Sequence, residues 1–100
     1  MEYLLGEVQV QIEVVDSVDP RINRKNNQPL SASGLKQLLL AFPLSKLLVT
    51  ATMPQVFLVI VVGTARSRTY QMPYRSFLGF VSQLTTPEPK IKPDWMIYGF

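Results

Sequence analysis

Few side chains in this 100-residue chain have the type and spacing that catalysis requires. Ser33 and Lys36 have the Ser-x-x-Lys spacing, in which a lysine one helical turn away can activate a serine hydroxyl. The companion motifs and the length of the enzymes that use this pair are missing. We therefore expect a helix cap and a surface lysine here, and the sequence predicts no catalytic residue and no enzymatic activity.

Metal and nucleotide sites are not predicted either. The chain contains no cysteine and no histidine, which excludes disulfides, thiolate and imidazole ligands, and the commonest general base. Asp16 and Asp19 are too few for the six to eight oxygen ligands of calcium, and the five glycines are scattered, so no phosphate loop is formed. We expect no cofactor, no metal and no small-molecule substrate.

Charge is segregated along the chain, and this is its most informative feature. The first twenty residues hold five acids and no base, whereas residues 21–75 hold eight bases and no acid. The net charge of +3 therefore conceals a strongly basic middle section. Clustered guanidinium and ammonium groups attract phosphates, so the middle section predicts an anionic partner such as nucleic acid or an acidic membrane surface.

Two parts of the middle section concentrate these bases, and tyrosines lie near the second. Arginine suits bidentate phosphate recognition, and tyrosine rings can stack on bases. The predicted anion-binding residues are Arg21, Arg24, Lys25, Arg66, Arg68, Arg75, Tyr70 and Tyr74. The alternative interpretation is a set of solvated loops whose arginines pair with the acidic first strand.

The elements that must position these residues begin with a strand over 7–14. Polar and apolar residues alternate there, so one face of the strand is expected to be exposed to solvent. Turn-forming residues over 16–33 predict a long loop. Ser33 is the predicted N-cap of a helix with Leu35, Leu38, Leu39 and Phe42 along one stripe. Pro43 interrupts the stripe, and we favour a second short helix over 44–48 rather than one kinked helix.

The second half of the domain begins with a β-branched run over 55–62, which predicts a central strand covered on both faces. After a turn at 63–65, residues 66–72 are expected to pair back on this strand as a hairpin. Pro73 suits the start of a helix whose apolar residues lie at Tyr74, Phe77, Leu78, Val81 and Leu84.

These elements predict one α+β domain over 1–86, with a small single-layer sheet and two main helices. Their order, β-α-β-β-α with or without a final β, matches a ferredoxin-like sandwich. We expect residues 87–100 to form a separate Pro-rich extended segment with an apolar tail, which either packs on its own domain or inserts into a neighbouring subunit. The self-association residues predicted in that tail are Trp95, Tyr98 and Phe100.

The uncharged run over 47–65 approaches the roughly 20 residues that a membrane-spanning helix requires. Pro54 interrupts it and its most apolar part has the length of a strand, so a transmembrane span is not expected. The acidic amino-terminal residues do not resemble a signal peptide, and we expect an intracellular, cytoplasmic protein.

Three functions agree with these patterns. The first is a non-enzymatic binding and assembly module, a homo-oligomer that engages an anionic partner through the basic middle section. Small matrix-like or accessory proteins of viruses behave in this way, although no motif connects the chain to such a family. The alternatives are a nucleic-acid-binding domain that contacts phosphates and a small membrane-associated subunit of a larger complex.

Overall fold

Seven strands and two helices make up the computed structural model, which describes residues 2–86 of the chain. The strands are β1 (Glu2–Leu5), β2 (Val8–Val14), β3 (Gln28–Pro29), β4 (Ser45–Ala51), β5 (Gln55–Val62), β6 (Ala65–Arg66) and β7 (Tyr70–Pro73). The helices are α1 (Ala32–Ala41) and α2 (Tyr74–Val81). The predicted α+β class with two helices is therefore correct.

All seven strands belong to one mixed sheet with the order β1-β2-β4-β5-β7-β3, and β6 also pairs with β5. β2 and β4 run parallel, with Val10 opposite Ser45 and Val14 opposite Val49. A parallel pair needs a crossover connection, which here contains α1. The predicted hairpin exists: β5 pairs antiparallel with both β6 and β7.

Both helices cover one face of the sheet and bury the main core. Leu35 and Leu39 of α1 and Phe80 of α2 are fully buried there, together with Val56 and Leu58 of β5. Because side chains alternate along a strand, the intervening residues of β5 point to the opposite face.

That opposite face carries a second, smaller core under the long loop between β2 and β3. Leu48, Phe57 and Val59 from the central strands are buried there by Ile22 of the loop. The prediction of a central strand covered on both faces is confirmed for β5.

The predicted short helix over 44–48 is wrong, because Ser45–Ala51 is the central strand β4. The leucines at 44, 47 and 48 fit helical spacing, but Leu47 and Leu48 are both fully buried on opposite faces of the sheet. A short apolar run has no periodicity that separates a buried strand from a helix, and pairing with β2 and β5 decides the outcome here.

Helix boundaries differ from the prediction by small amounts. The Ser31 hydroxyl oxygen accepts a hydrogen bond from the Gly34 backbone N–H at 2.9 Å, so Ser31 caps α1 rather than Ser33. Pro73 precedes α2 as its N-cap. Within residues 2–86, no helix combines the length and the apolar character needed to cross a membrane.

Candidate anion-binding cleft

The two basic segments predicted from the sequence line the same cleft, which has a volume of about 620 Å³. One wall is the loop between β2 and β3, and the other is the segment that connects β6 to β7. The cleft is lined by Pro20, Arg21, Asn23, Asn26, Asn27, Gln28, Arg66, Ser67, Arg68 and Thr69. The fold therefore unites two sequence segments that residues 29–65 separate along the chain.

The first wall is held in place by one apolar anchor and by hydrogen bonds to the second wall. Ile22 is buried against Leu48, Phe57 and Val59 on one face of the central strands. The Asn23 backbone N–H donates to the Thr69 hydroxyl at 2.9 Å, and the Gln28 N–H donates to the Thr69 carbonyl at 3.1 Å. Thr69 thus bridges the two segments. These hydrogen bonds explain how a polar residue is buried at this position.

Asparagine side chains shape the tip of this loop. The Asn23 side-chain oxygen accepts hydrogen bonds from the backbone N–H groups of Lys25 at 3.1 Å and Asn26 at 2.9 Å. The Asn27 amide donates to the Arg24 carbonyl at 3.0 Å. Such side-chain-to-backbone bonds stabilise turns that have no regular secondary structure. They also hold Asn23 and Asn26 along the cleft.

The second wall is fixed by Ser67, which lies between the two arginines of this segment. Its hydroxyl accepts from the Ile60 N–H at 2.9 Å and donates to the Arg68 carbonyl at 3.0 Å. Its own backbone N–H donates to the Ile60 carbonyl at 2.8 Å. The backbone that carries Arg66 and Arg68 is therefore attached to the central strand β5.

Arg21 is held by carboxylates of the same chain. Its Nη2 lies 2.8 Å from Asp19 Oδ2 and 3.3 Å from Glu13 Oε2, and its Nε donates to Asp19 Oδ1 at 3.0 Å. These bonds hold the pKa of Asp19 at about 2 and raise the pKa of Arg21. The Lys46 ammonium, 2.8 Å from Glu13 Oε1, is the main cause of the lowered pKa of Glu13.

The guanidinium groups of Arg66 and Arg68, by contrast, make no ion pair with any residue in the described range 2–86. Both side chains are exposed and both line the cleft. Arg66 lies close enough to Asp19 to contribute to the lowered pKa of that carboxyl, although the two groups are not within ion-pair distance. Together with the amides and hydroxyls of the cleft, the guanidinium groups of Arg66 and Arg68 form a set of hydrogen-bond donors that suits a phosphate or carboxylate.

The other predicted basic residues lie outside the cleft lining. Arg24 is exposed, and its guanidinium carbon lies 5.9 Å from the centre of the Phe57 ring, a cation–π distance on the loop-covered face. Lys25 is exposed at the tip of the same loop. Arg75 is exposed in the first turn of α2, which follows the far end of β7.

The two predicted tyrosines are placed on the helix-covered face. Tyr70 and Tyr74 are half-buried and pack against the main core, and neither lines the cleft. The predicted tail residues Trp95, Tyr98 and Phe100 lie outside the described residues. The sequence analysis did not predict Asn23, Asn27 or Thr69 as site residues. The high frequency of asparagine in this loop could have indicated the two asparagines.

Residues 2–86 contain no cluster of three or more carboxylates that could hold a metal ion. Comparison of the chain with protein-family models, with curated proteins and with solved structures gives no match.

Proposed function

We propose that this chain is a non-enzymatic binding module that holds an anionic group of its partner in the cleft between residues 20–28 and 66–69. The observation that carries the proposal is the pair of unpaired guanidinium groups, Arg66 and Arg68, on a backbone segment fixed to the sheet. Because the backbone of this segment is attached to β5, binding of an anion has to order only the two arginine side chains, which favours recognition.

The loop side of the cleft adds neutral donors to this pair. Asn23 and Asn26 supply side-chain amides, and Thr69 supplies a hydroxyl that already accepts a hydrogen bond from the Asn23 backbone N–H. A tetrahedral phosphate offers three or four acceptor oxygens, so arginine forks on one side and amides on the other match its geometry. Arg21 contributes positive charge but is largely neutralised by Asp19 and Glu13.

Nucleic acid is the second candidate partner, because its phosphates would use the same donors. Binding of this kind would use only the sugar-phosphate backbone of the nucleic acid, since Tyr70 and Tyr74 pack on the other face of the sheet and cannot stack on bases in the cleft. We therefore expect an oligonucleotide to bind without base preference and with strong dependence on salt.

Self-association through the carboxyl-terminal tail and the ferredoxin-like arrangement stay predictions, and the cleft proposal does not depend on them. Copies of the chain could also associate through attraction between the acidic amino-terminal residues of one copy and the basic middle section of the next, but this attraction is reduced within the folded chain. Glu13 and Asp19 are already bound to Lys46 and Arg21 of the same copy, so two of the amino-terminal acids have partners within the chain.

Isothermal titration calorimetry with inorganic phosphate, and separately with a single-stranded oligonucleotide, tests the proposal. Replacing Arg66 and Arg68 by glutamine should weaken phosphate binding roughly 10- to 100-fold, since a hydrogen bond to a charged group contributes about 1.5–3 kcal/mol. Lys36→Gln is the matched control, because Lys36 is an exposed cation on α1 outside the cleft.

Equal loss of affinity in the Lys36→Gln protein would show that net charge, not the cleft, attracts the anion. Unchanged affinity for phosphate in the Arg66→Gln, Arg68→Gln protein would contradict the proposal. An oligonucleotide that binds while phosphate does not would favour a partner recognised along an extended surface.

A further inference from the structure

The segment 66–68 separates the anion-binding cleft from an apolar groove on the other side of the chain. This groove, of about 440 Å³, is lined by Leu38 of α1 and Phe42, the C-cap of that helix, by Ile60, Val62 and Tyr70 of the sheet, and by the same segment 66–68. No acidic residue lines it. Arg66 and Arg68 thus form the shared border of a polar site and an apolar one.

Two exposed apolar side chains of this groove lie at one end of the sheet. Phe42 and Val62 line the groove and are 45% and 37% exposed, and we call them the apolar tip. Lys46 pairs with Val61, and this register places the turn that follows α1 beside the turn that follows β5. Phe42, between α1 and β4, and Val62, the last residue of β5, therefore lie at the same end of the sheet.

We infer that the apolar tip inserts into the surface of a bilayer of anionic phospholipids, while Arg66 and Arg68 bind the lipid phosphates. Interfacial binding combines burial of apolar side chains with attraction of basic residues to acidic headgroups, and both components are adjacent here. The inference deepens the proposed function and depends on it, because it names the source of the anion that the cleft holds.

Flotation of the full-length chain with vesicles tests this assignment. We expect binding to phosphatidylcholine vesicles that contain about 30% phosphatidylglycerol, and weak binding to phosphatidylcholine alone. The Arg66→Gln, Arg68→Gln protein should lose roughly 30-fold in partitioning, for two charges removed from the membrane surface. The Phe42→Ser, Val62→Thr protein should lose roughly tenfold and should keep its affinity for inorganic phosphate.

A matched control variant tests whether the apolar tip acts specifically. Val18 is 81% exposed but lies in the long loop, outside the apolar tip, so Val18→Ser should leave vesicle binding unchanged. Retained phosphate affinity in the Phe42→Ser, Val62→Thr protein shows that a loss of vesicle binding there is not a folding defect.

The outcomes separate this inference from the proposed function. Phosphate binding without vesicle binding would overturn the lipid assignment and leave the cleft proposal intact. Vesicle binding that ignores both arginines, together with absent phosphate binding, would overturn both. Competition in which an oligonucleotide, but not acidic vesicles, occupies the cleft would assign the site to nucleic acid instead.

Two other occupants of the groove would also contradict the inference. Light scattering that shows a dimer dissociated by the Phe42→Ser, Val62→Thr change would make the apolar tip an interface between copies of the chain. Nuclear Overhauser contacts between Phe42 and the Trp95 indole in the free monomer would show that the chain's own carboxyl-terminal residues fill the groove.

Discussion

The guanidinium of Arg21 binds the carboxylate of Asp19 through two parallel contacts, Nε to Oδ1 at 3.0 Å and Nη2 to Oδ2 at 2.8 Å. The backbone N–H of Arg21 donates to the same Oδ1 at 2.9 Å, so one carboxylate organises both the side chain and the turn. Bidentate pairs of this kind are geometrically specific. Asp19 therefore fixes the start of the cleft loop and also neutralises one of its cations.

The stability of the chain should fall in acid because of this pair. The pKa of Asp19 is lowered from 3.8 to about 2 in the folded state, so its contribution is complete above pH 4 and is lost as the pH falls from about 4 to about 2. Thermal unfolding followed by circular dichroism at a series of pH values measures this loss. In the Asp19→Asn protein the drop across that interval should be smaller.

Asp16→Asn is the control for the acid titration, because Asp16 is exposed and its carboxylate makes no ion pair with residues 2–86. Its pH profile should follow that of the unmodified protein. A profile of Asp19→Asn that is identical to both would mean that the pair contributes nothing to folding.

Release of Arg21 should increase anion binding. Asp19→Asn removes a negative charge next to the cleft and frees donors of Arg21, although Glu13 still lies 3.3 Å away. We expect affinity for inorganic phosphate to rise about three- to tenfold, as for removal of one nearby charge at intermediate dielectric. Calorimetry of Asp19→Asn beside Asp16→Asn checks this, and reduced affinity in the former would show that Asp19 acts mainly by ordering the loop.

Ile22 should be essential for stability although it lies in a polar loop. Its side chain is 6% exposed and closes the second core over Leu48, Phe57 and Val59. Ile22→Ala should lower the free energy of unfolding by about 2–4 kcal/mol in a urea titration. Val18→Ala, in the same loop but 81% exposed, should change it by less than about 0.5 kcal/mol. Equal effects would refute the second core.

The sequence predicted the α+β class, the strand β2 and the hairpin around β5, because alternating polar and apolar residues and β-branched runs are local signals. It did not predict β4, whose apolar run Leu47–Val49 is buried by partners from three other elements. β1 was missed for a similar reason, since its pairing with β2 and the contact between Leu4 and Thr85 are made only in the folded chain.

The core of α2 gives a further test of stability. Phe80 is fully buried and lies 6.3 Å from Phe77 between ring centres, whereas Leu78 is 48% exposed. The helical stripe predicted from the sequence included Phe77 and Leu78 but not Phe80. Phe80→Ala should cost roughly 3–5 kcal/mol in the same urea titration, and Leu78→Ala should cost far less. The reverse order would mean that α2 presents a different face to the sheet.

The candidate site was also predicted in part. The basic segments were visible in the sequence, and the fold brings Arg21, Arg66 and Arg68 to one cleft. Ion pairing to Asp19 and Glu13, and the bridging role of Thr69, depend on contacts between distant positions, so composition could not reveal them. The placement of Arg75 beyond the far end of β7 likewise follows from topology alone.

The most direct test of the central claim is a phosphate titration of the isotopically labelled chain followed by two-dimensional nuclear magnetic resonance. We expect saturable shifts confined to the backbone N–H groups of residues 23–28 and 66–69 and to the arginine Nε–H groups of Arg66 and Arg68. Shifts of equal size at Lys36 and Arg75, or no saturable shift at any residue, would contradict the assignment of this cleft as the anion site.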